Sequence, residues 1–203
     1  MEDAVIGSSG PGFPVPADSR PIDNAIGASA ARLGLSLALI ALAMAFLALF
    51  TSYIVLRSGH RPWPPEGVRL NIPLGWVNTA VLVGSSLAFV SALKSARADA
   101  LHGARTALQI GGLLALGFLC LQALQYYWLI YDFGETIRSS PFGTTFYALT
   151  GLHAIHVIAG VIWLLPLSFS SRRRSALRIE LCGNYWHFVT VVWSAIFLLF
   201  YLV

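Results

Sequence analysis

The chain has 203 residues, of which 57% are hydrophobic and only 11% are charged, and its mean hydropathy is +0.71. Soluble globular domains carry about 25% charged residues, so this composition excludes an ordinary cytosolic enzyme and a disordered chain. The net charge of +4 does not indicate a nucleic-acid binder either, because the basic residues stand between apolar segments and form no basic face.

Five stretches of the chain contain no Asp, Glu, Lys or Arg: 33–56, 70–93, 106–131, 139–171 and 181–203. Each is longer than the roughly 20 residues that a helix needs to cross about 30 Å of hydrocarbon. In lipid every backbone N–H and C=O must be paired internally, so these stretches are predicted to be helices. The predicted fold class is an all-α polytopic membrane protein, a bundle of five transmembrane helices.

In chain order, residues 1–29 form a Pro- and Gly-rich segment without an apolar run, which predicts a flexible cytoplasmic tail. Residues 30–203 form the membrane domain. Its helices are predicted at about 30–57, 72–93, 106–130, 142–168 and 184–203. Pro62, Pro64 and Pro65 exclude a helix between the first two. Tyr126, Trp128 and their aromatic neighbours at the end of the third helix are typical of an interfacial belt.

The distribution of Lys and Arg predicts the orientation in the membrane, because cytoplasmic loops carry an excess of basic residues. The side of the tail and of the second and fourth linkers carries nine: Arg20, Arg32, Lys94, Arg97, Arg105, Arg172, Arg173, Arg174 and Arg178. The opposite side carries four: Arg57, Arg61, Arg69 and Arg138. This places the N-terminus in the cytoplasm and, after five crossings, the C-terminus outside.

Polar side chains inside the spans are the natural functional candidates, because they are costly in hydrocarbon. They are Asn78, Ser85, Ser86, Gln122, Gln125, His153, His156, His187 and Thr190, with no carboxylate among them. Thr150, His153, Val157 and Gly160 recur at helical spacing, with Gly151 close by. Small and polar residues on one face are typical of helix packing, so packing is predicted in preference to a substrate path.

The three buried histidines also raise the possibility of a metal site. His153 and His156 share a helix face, but at about 1.5 Å per residue His187 lies roughly 12–16 Å nearer the cytoplasmic side. Interhelical hydrogen bonding is therefore favoured over ligation, and no metal is predicted. Cys120 and Cys182 have no Cys-x-x-Cys spacing, and a disulfide between them is not expected. The basic run Arg172–Arg174 predicts an anchor with lipid-headgroup contacts.

Two stretches resemble the signatures of subunit III of the haem-copper cytochrome c and quinol oxidases. The first is Thr150-Gly-Leu-His-Ala-Ile-His-Val-Ile-Ala-Gly160, which contains Gly151, His153 and His156; the second is Tyr185-Trp-His-Phe-Val-Thr-Val-Val-Trp193, which contains Trp186 and His187. Asn78 and Gln122 match the family's second and third helices. The resemblance covers about residues 30–203 and is to the short, five-helix form.

The resemblance implies a role. Such a subunit carries no haem, copper or catalytic residue; it packs on catalytic subunit I, contacts other oxidase subunits and phospholipid, and supports turnover with proton translocation in a bacterial inner membrane. The family's intramembrane acids are replaced here by Leu42, Gln125 and Thr190. We therefore expect a structural contribution and no proton relay. The alternatives are the homologous accessory subunit of a nitric oxide reductase system, a small transporter and a membrane metalloenzyme.

Overall fold

The computed structural model describes residues 19–60, 62–169 and 176–202. Over these residues it is all-helical, as predicted, with five long helices and no strand. They are α1 (Ser19–Gly59), α2 (Ile72–Arg97), α3 (Leu101–Tyr131), α4 (Pro141–Phe169) and α5 (Ala176–Phe197), and α5 continues into a π-helical turn, Leu198–Leu202.

All five helices of the described chain are long and apolar enough to cross a membrane. The shortest of these spans has 26 residues, or about 39 Å at 1.5 Å per residue, which exceeds the hydrocarbon thickness of about 30 Å. The prediction of five transmembrane helices is therefore confirmed.

Several helices extend beyond the charge-free stretches that predicted them. Helix α1 begins at Ser19 instead of near residue 30, so part of the predicted tail is helical, and residues 1–18 lie outside the described residues. Helix α5 begins at Ala176 instead of near residue 184. A helix does not stop where hydrocarbon ends, because its charged side chains can reach water from the last turns.

Two helices, α2 and α4, begin at local side-chain caps. Asn71 precedes α2, and its Oδ1 accepts a hydrogen bond from the backbone N–H of Leu74 at 2.9 Å. Ser140 precedes α4 in the same way, since its Oγ accepts from the backbone N–H of Gly143 at 3.0 Å. Each cap satisfies one of the free N–H groups of a first turn.

The packing order of the bundle follows from its connections. Residues 98–100 alone separate α2 from α3, with Asp99 in the left-handed region at φ +54°, and these two helices make the most extensive contact. Helix α5 packs on α2 and α4, and α3 packs on α4. The centre is aromatic: Phe118 on α3 and Trp193 on α5 meet edge to face, with ring centroids 4.7 Å apart.

Helix α1 lies outside this four-helix core and contacts α4 and α5. Only 6% of its most apolar window is buried, against 28–44% for the other four spans. The inward side chains of α1, Phe46 and Tyr53, are 2% and 1% exposed. The described residues leave many large apolar side chains of α1 exposed, among them Leu37, Met44 and Leu47.

Candidate functional site: the polar core of the bundle

The polar side chains of α2 bind groups on α3. Asn78 Nδ2 donates to Gln122 Oε1 at 3.1 Å, and both residues are buried. Nearer the α2–α3 connection, Ser85 Oγ donates to the carbonyl of Gly111 at 2.7 Å. These bonds join the two helices at two heights, in an environment where an unpaired polar group is costly.

Hydrogen bonds donated by aromatic side chains join α3 to α4, α5 to α4 and α5 to α2. Tyr126 on α3 donates its hydroxyl to Thr150 Oγ1 on α4 at 2.8 Å. Tyr185 on α5 donates to the carbonyl of His156 on α4 at 3.0 Å. Trp193 Nε1 on α5 donates to Thr79 Oγ1 on α2 at 3.0 Å. Each of these bonds joins two helices.

The three histidines have different neighbours. His153 is 1% exposed and packs between the rings of Phe118 and Trp193, with centroid distances of 5.7 and 5.3 Å. His156 Nδ1 lies 2.7 Å from the carbonyl oxygen of Leu152, in the preceding turn of its own helix. No ring contact or hydrogen bond among the described residues joins one imidazole to another.

His187 on α5 contacts α2, away from the neighbours of the other two histidines. Its Nδ1 lies 2.5 Å from Ser86 Oγ on α2, toward the α2–α3 connection and away from His153. Over the described residues, no group of three or more His, Cys, Asp or Glu side chains could hold a metal ion. The structure thus brings these histidines to helix contacts and not to a common ligand set.

Several buried polar atoms of the core have no hydrogen-bond partner among the described residues: Asn78 Oδ1, Gln122 Nε2, Gln125 Oε1, both ring nitrogens of His153, and Trp186 Nε1. All belong to α2, α3, α4 or α5. An unpaired buried polar atom costs about 1–3 kcal/mol. The core therefore keeps hydrogen-bonding capacity that its internal bonds do not use.

Close helix contacts depend on two glycines. A Cβ at Gly160 on α4 would lie 2.6 Å from the Trp186 ring on α5. A Cβ at Gly75 on α2 would lie 2.7 Å from the Tyr201 ring in the π-helical turn. Gly151, by contrast, has open space where its Cβ would be. Of these three positions, the first two require glycine for helix packing and Gly151 does not.

The three positions that the sequence resemblance matched to acids of the family are separate in the bundle. Leu42 is a partly buried side chain of α1 packed against the core. Gln125 on α3 is 3% exposed. Thr190 on α5 is 8% exposed, and its Oγ1 donates to the carbonyl of Trp186 at 3.0 Å. None of these three side chains is ionisable, so none can exchange a proton near neutral pH.

A charged cluster joins three helices at the end of the bundle where α1 begins. Glu180 on α5 accepts from Arg32 Nε on α1 at 2.8 Å and from Arg97 Nη2 on α2 at 3.4 Å. The arginine side chains are 52% and 61% exposed. Both arginines were counted for orientation, but the cluster was not predicted, because the pairing of Arg32 with Glu180 across 148 positions has no local signal.

A buried carboxylate outside the spans was also missed. Glu135, in the connection between α3 and α4, is 5% exposed and accepts a hydrogen bond from the Ser140 hydroxyl. Its backbone carbonyl accepts from the Tyr147 hydroxyl at 2.9 Å. The residue therefore supports the N-terminal cap of α4. A Glu in a polar connection gives no sign in sequence that it will be buried.

The proposed lipid contacts Arg172, Arg173 and Arg174 lie outside the described residues. Cys120 and Cys182 are both free, the first exposed on the bundle surface and the second buried.

Taken as a whole, the described geometry is that of an integral membrane helix bundle whose polar groups join its own helices. Residues 23–203 match the family model of cytochrome c oxidase subunit III. The chain belongs to that family. The family resemblance seen in the sequence is thereby confirmed, as is the prediction of an accessory subunit III of a haem-copper oxidase.

Individual relatives agree with the family match. The chain is 32% identical to cytochrome c oxidase subunit 3 of Thermostichus vulcanus over 74% of its own length and 76% of the relative's. It is 32% identical to the protein of the same name from Bacillus subtilis, over 74% and 75%. With that from Corynebacterium diphtheriae the identity is 35%, over 71% and 73%. The comparisons favour neither the reductase nor the transporter alternative.

Proposed function

We propose that the chain packs on the catalytic subunit I of a terminal oxidase in a bacterial cell membrane and stabilises the complex during oxygen reduction. The observation that carries this proposal is the family match over residues 23–203. Haem and copper then belong to the partner subunits. The oxidase's electron donor binds to those subunits too.

The bundle surface supports a role in assembly. Large apolar side chains are exposed on all five helices, for example Leu37, Leu87, Leu113, Ile155 and Val191. Helices in lipid associate by close packing and hydrogen bonding and not by a hydrophobic drive. Because the interhelical hydrogen bonds described above lie inside the bundle, this apolar outer surface suits lipid and the apolar helices of neighbouring subunits.

The contribution to proton translocation is proposed to be structural. A transmembrane proton relay uses Asp, Glu or His side chains. The family's acid positions hold Leu42, Gln125 and Thr190, and the histidines are divided among separate helix contacts. Protons are therefore proposed to reach the catalytic subunit without passing through this bundle.

The orientation is proposed from the basic residues, nine on the side of the tail and four on the other. Cysteine labelling tests it. In a background without Cys120 and Cys182, Glu66→Cys is expected to react with an impermeant maleimide in intact cells, whereas Ala98→Cys reacts only after lysis. Both positions are exposed in the bundle. The reverse pattern overturns this orientation.

The assembly proposal is tested by purifying a tagged full-length chain in a mild detergent. Mass spectrometry is expected to find a catalytic oxidase subunit among the companions, and haem bands should be present in the visible spectrum. When a stronger detergent strips this chain away, the haem is expected to remain with the companions.

A tagged multi-pass protein without oxidase partners, purified in parallel, controls for carry-over of abundant respiratory complexes. Stoichiometric iron or copper in the stripped chain contradicts the proposal. So does the absence of haem from a chain that purifies as a stable larger assembly.

A further inference from the structure

A cavity of about 320 Å³ opens between the start of α2 and the end of α3. Arg69 and Asn71, just before α2, form one wall, and Trp128 and Asp132, at the end of α3, form the other. Gln125 also lines it, about two turns further into α3. We call it the Arg69 cavity. It is at the opposite end of the bundle from the cluster around Glu180.

The cavity lies at the ends of two helices that are long and apolar enough to cross a membrane. Ile72 is the first residue of the second span, and Tyr131 is the last of the third. Asn71 and Asp132 are therefore the residues immediately outside them. The neighbouring Tyr127 and Tyr131 are 55% and 71% exposed, and exposed aromatic residues at span ends sit at the level of lipid headgroups. The natural ligand at this depth is a headgroup.

Both signs of charge line the same cavity. Arg69 and Asp132 are exposed, and neither has an ion-pair partner among the described residues. A guanidinium binds phosphate oxygens in a bidentate geometry, and a carboxylate binds ammonium N–H groups. Two opposite, unpaired charges in one cavity fit a zwitterion better than a purely anionic ligand.

The deepest polar group of the cavity is an acceptor. Gln125 is 3% exposed, and its Oε1 has no hydrogen-bond partner among the described residues. A buried acceptor of this kind is satisfied by a ligand N–H or O–H. Gln125 Oε1 and the Asp132 carboxylate therefore give the cavity two hydrogen-bond acceptors for a ligand group that carries N–H or O–H bonds.

We propose that the Arg69 cavity binds the headgroup of phosphatidylethanolamine. The phosphate pairs with Arg69, and the primary ammonium donates to Asp132 and Gln125. This deepens the lipid-contact part of the proposed function and rests on it. Phosphatidylcholine keeps the phosphate contact with Arg69, but its quaternary ammonium has no N–H, so it loses both donor contacts and can only approach the Trp128 ring as a cation.

The test is native mass spectrometry of the delipidated full-length chain, titrated with phosphatidylethanolamine, phosphatidylcholine or phosphatidylglycerol of identical acyl chains. Phosphatidylethanolamine is expected to bind about tenfold more tightly than phosphatidylcholine, a difference of about 1.4 kcal/mol, because its ammonium makes charge-assisted hydrogen bonds that the choline group cannot make. Asp132→Asn and Gln125→Leu should each reduce this preference. Arg69→Gln should weaken both zwitterionic lipids.

Arg138→Gln is the matched control, because Arg138 is an exposed arginine on the same side of the bundle and does not line the cavity. Equal affinity for the ethanolamine and choline lipids overturns the proposal. An unchanged preference in Asp132→Asn does the same. Soluble phosphoethanolamine that binds as tightly as the lipid assigns the cavity to a free phosphate compound and also overturns it.

Two further measurements separate folding and assembly from lipid binding. The substitutions at the exposed Arg69 and Asp132 are expected to leave the thermal midpoint unchanged, so the test does not depend on the buried Gln125. Haem should still co-purify with these variants while phosphatidylethanolamine is lost. If haem does not co-purify with the wild-type chain, that result contradicts the proposed assembly function, whereas the lipid titration alone decides the proposal for the cavity.

Discussion

The Trp186 indole on α5 occupies the space that a side chain at Gly160 on α4 would fill. A Cβ at residue 160 would lie 2.6 and 2.9 Å from two atoms of that ring. Trp186 is fully buried and stacks on Phe89 of α2 with ring centroids 5.1 Å apart. The ring therefore cannot move away without disturbing a third helix.

Gly160→Ala is accordingly expected to destabilise the bundle by about 1–3 kcal/mol, the usual cost of overpacking a core. The measurement is the thermal midpoint of the purified chain in detergent. Gly151→Ala is the matched control, because it lies on the same helix with open space at its Cβ and gains helix propensity. Equal midpoints for the two variants would show that the α4–α5 contact adapts freely.

The Asn78–Gln122 hydrogen bond is expected to contribute about 0.6–2 kcal/mol, as interhelical polar contacts in membranes do. Leucine at either position alone leaves the other amide buried without its hydrogen-bond partner. Leucine at both positions removes both amides, so no polar group is left unpaired by the change. A double-mutant cycle on unfolding free energy measures the coupling. Gln109→Leu, at an exposed position of α3, controls for added hydrophobicity; strictly additive effects of the pair would contradict the prediction.

The Glu180 cluster predicts a salt-dependent attachment of α1. Glu180→Gln should lower the thermal midpoint at low salt. Adding Arg32→Gln to that variant should lower the midpoint little further, because both substitutions remove the same 2.8 Å ion pair. In about 1 M salt, where the screening length is about 3 Å, the difference from wild type should shrink.

Arg178→Gln is the control for the Glu180 cluster, since it removes a neighbouring exposed charge of the same helix. A midpoint difference that is unchanged across the salt series would mean that Glu180 acts through packing and not through its charge.

Restoring an acid is expected not to restore a proton path. Leu42→Glu and Thr190→Asp should leave steady-state proton uptake by the assembled oxidase unchanged or lower, because the buried surroundings of these positions disfavour an additional charge. Proton uptake is measured on the complex, with haem content as the control for assembly. A marked rise in uptake at equal haem content would refute the structural role proposed here.

The spans were predictable because lipid constrains them so strongly. A stretch such as 106–131 without a charge admits only a helix, and α3 covers it. The helix ends were less predictable. Arg97 was assigned to a linker but belongs to α2, and Arg105 likewise belongs to α3. The absence of charge marks where hydrocarbon begins, not where helical hydrogen bonding stops.

Partners across helices were not available from the sequence. Counting helical rise predicted that His187 and His153 lie apart, and they have different neighbours in the structure, yet the contact of His187 with Ser86 depends on how α2 packs on α5. The burial of Glu135 depends in the same way on the fold of its connection around Ser140. Periodicity fixes which face a residue occupies, and only tertiary packing decides what that face meets.

The position of α1 has a consequence for biosynthesis. Its contacts are with α4 and α5, which are translated last: Phe46 meets His156 with ring centroids 5.6 Å apart, and the Tyr53 hydroxyl donates to the carbonyl of Leu199 at 2.9 Å. At about 5–20 residues per second, the ribosome needs on the order of ten seconds to advance from the end of α1 to α5. During that interval the nascent α1 stays in the bilayer without its final neighbours, open to insertion factors or to a waiting assembly partner.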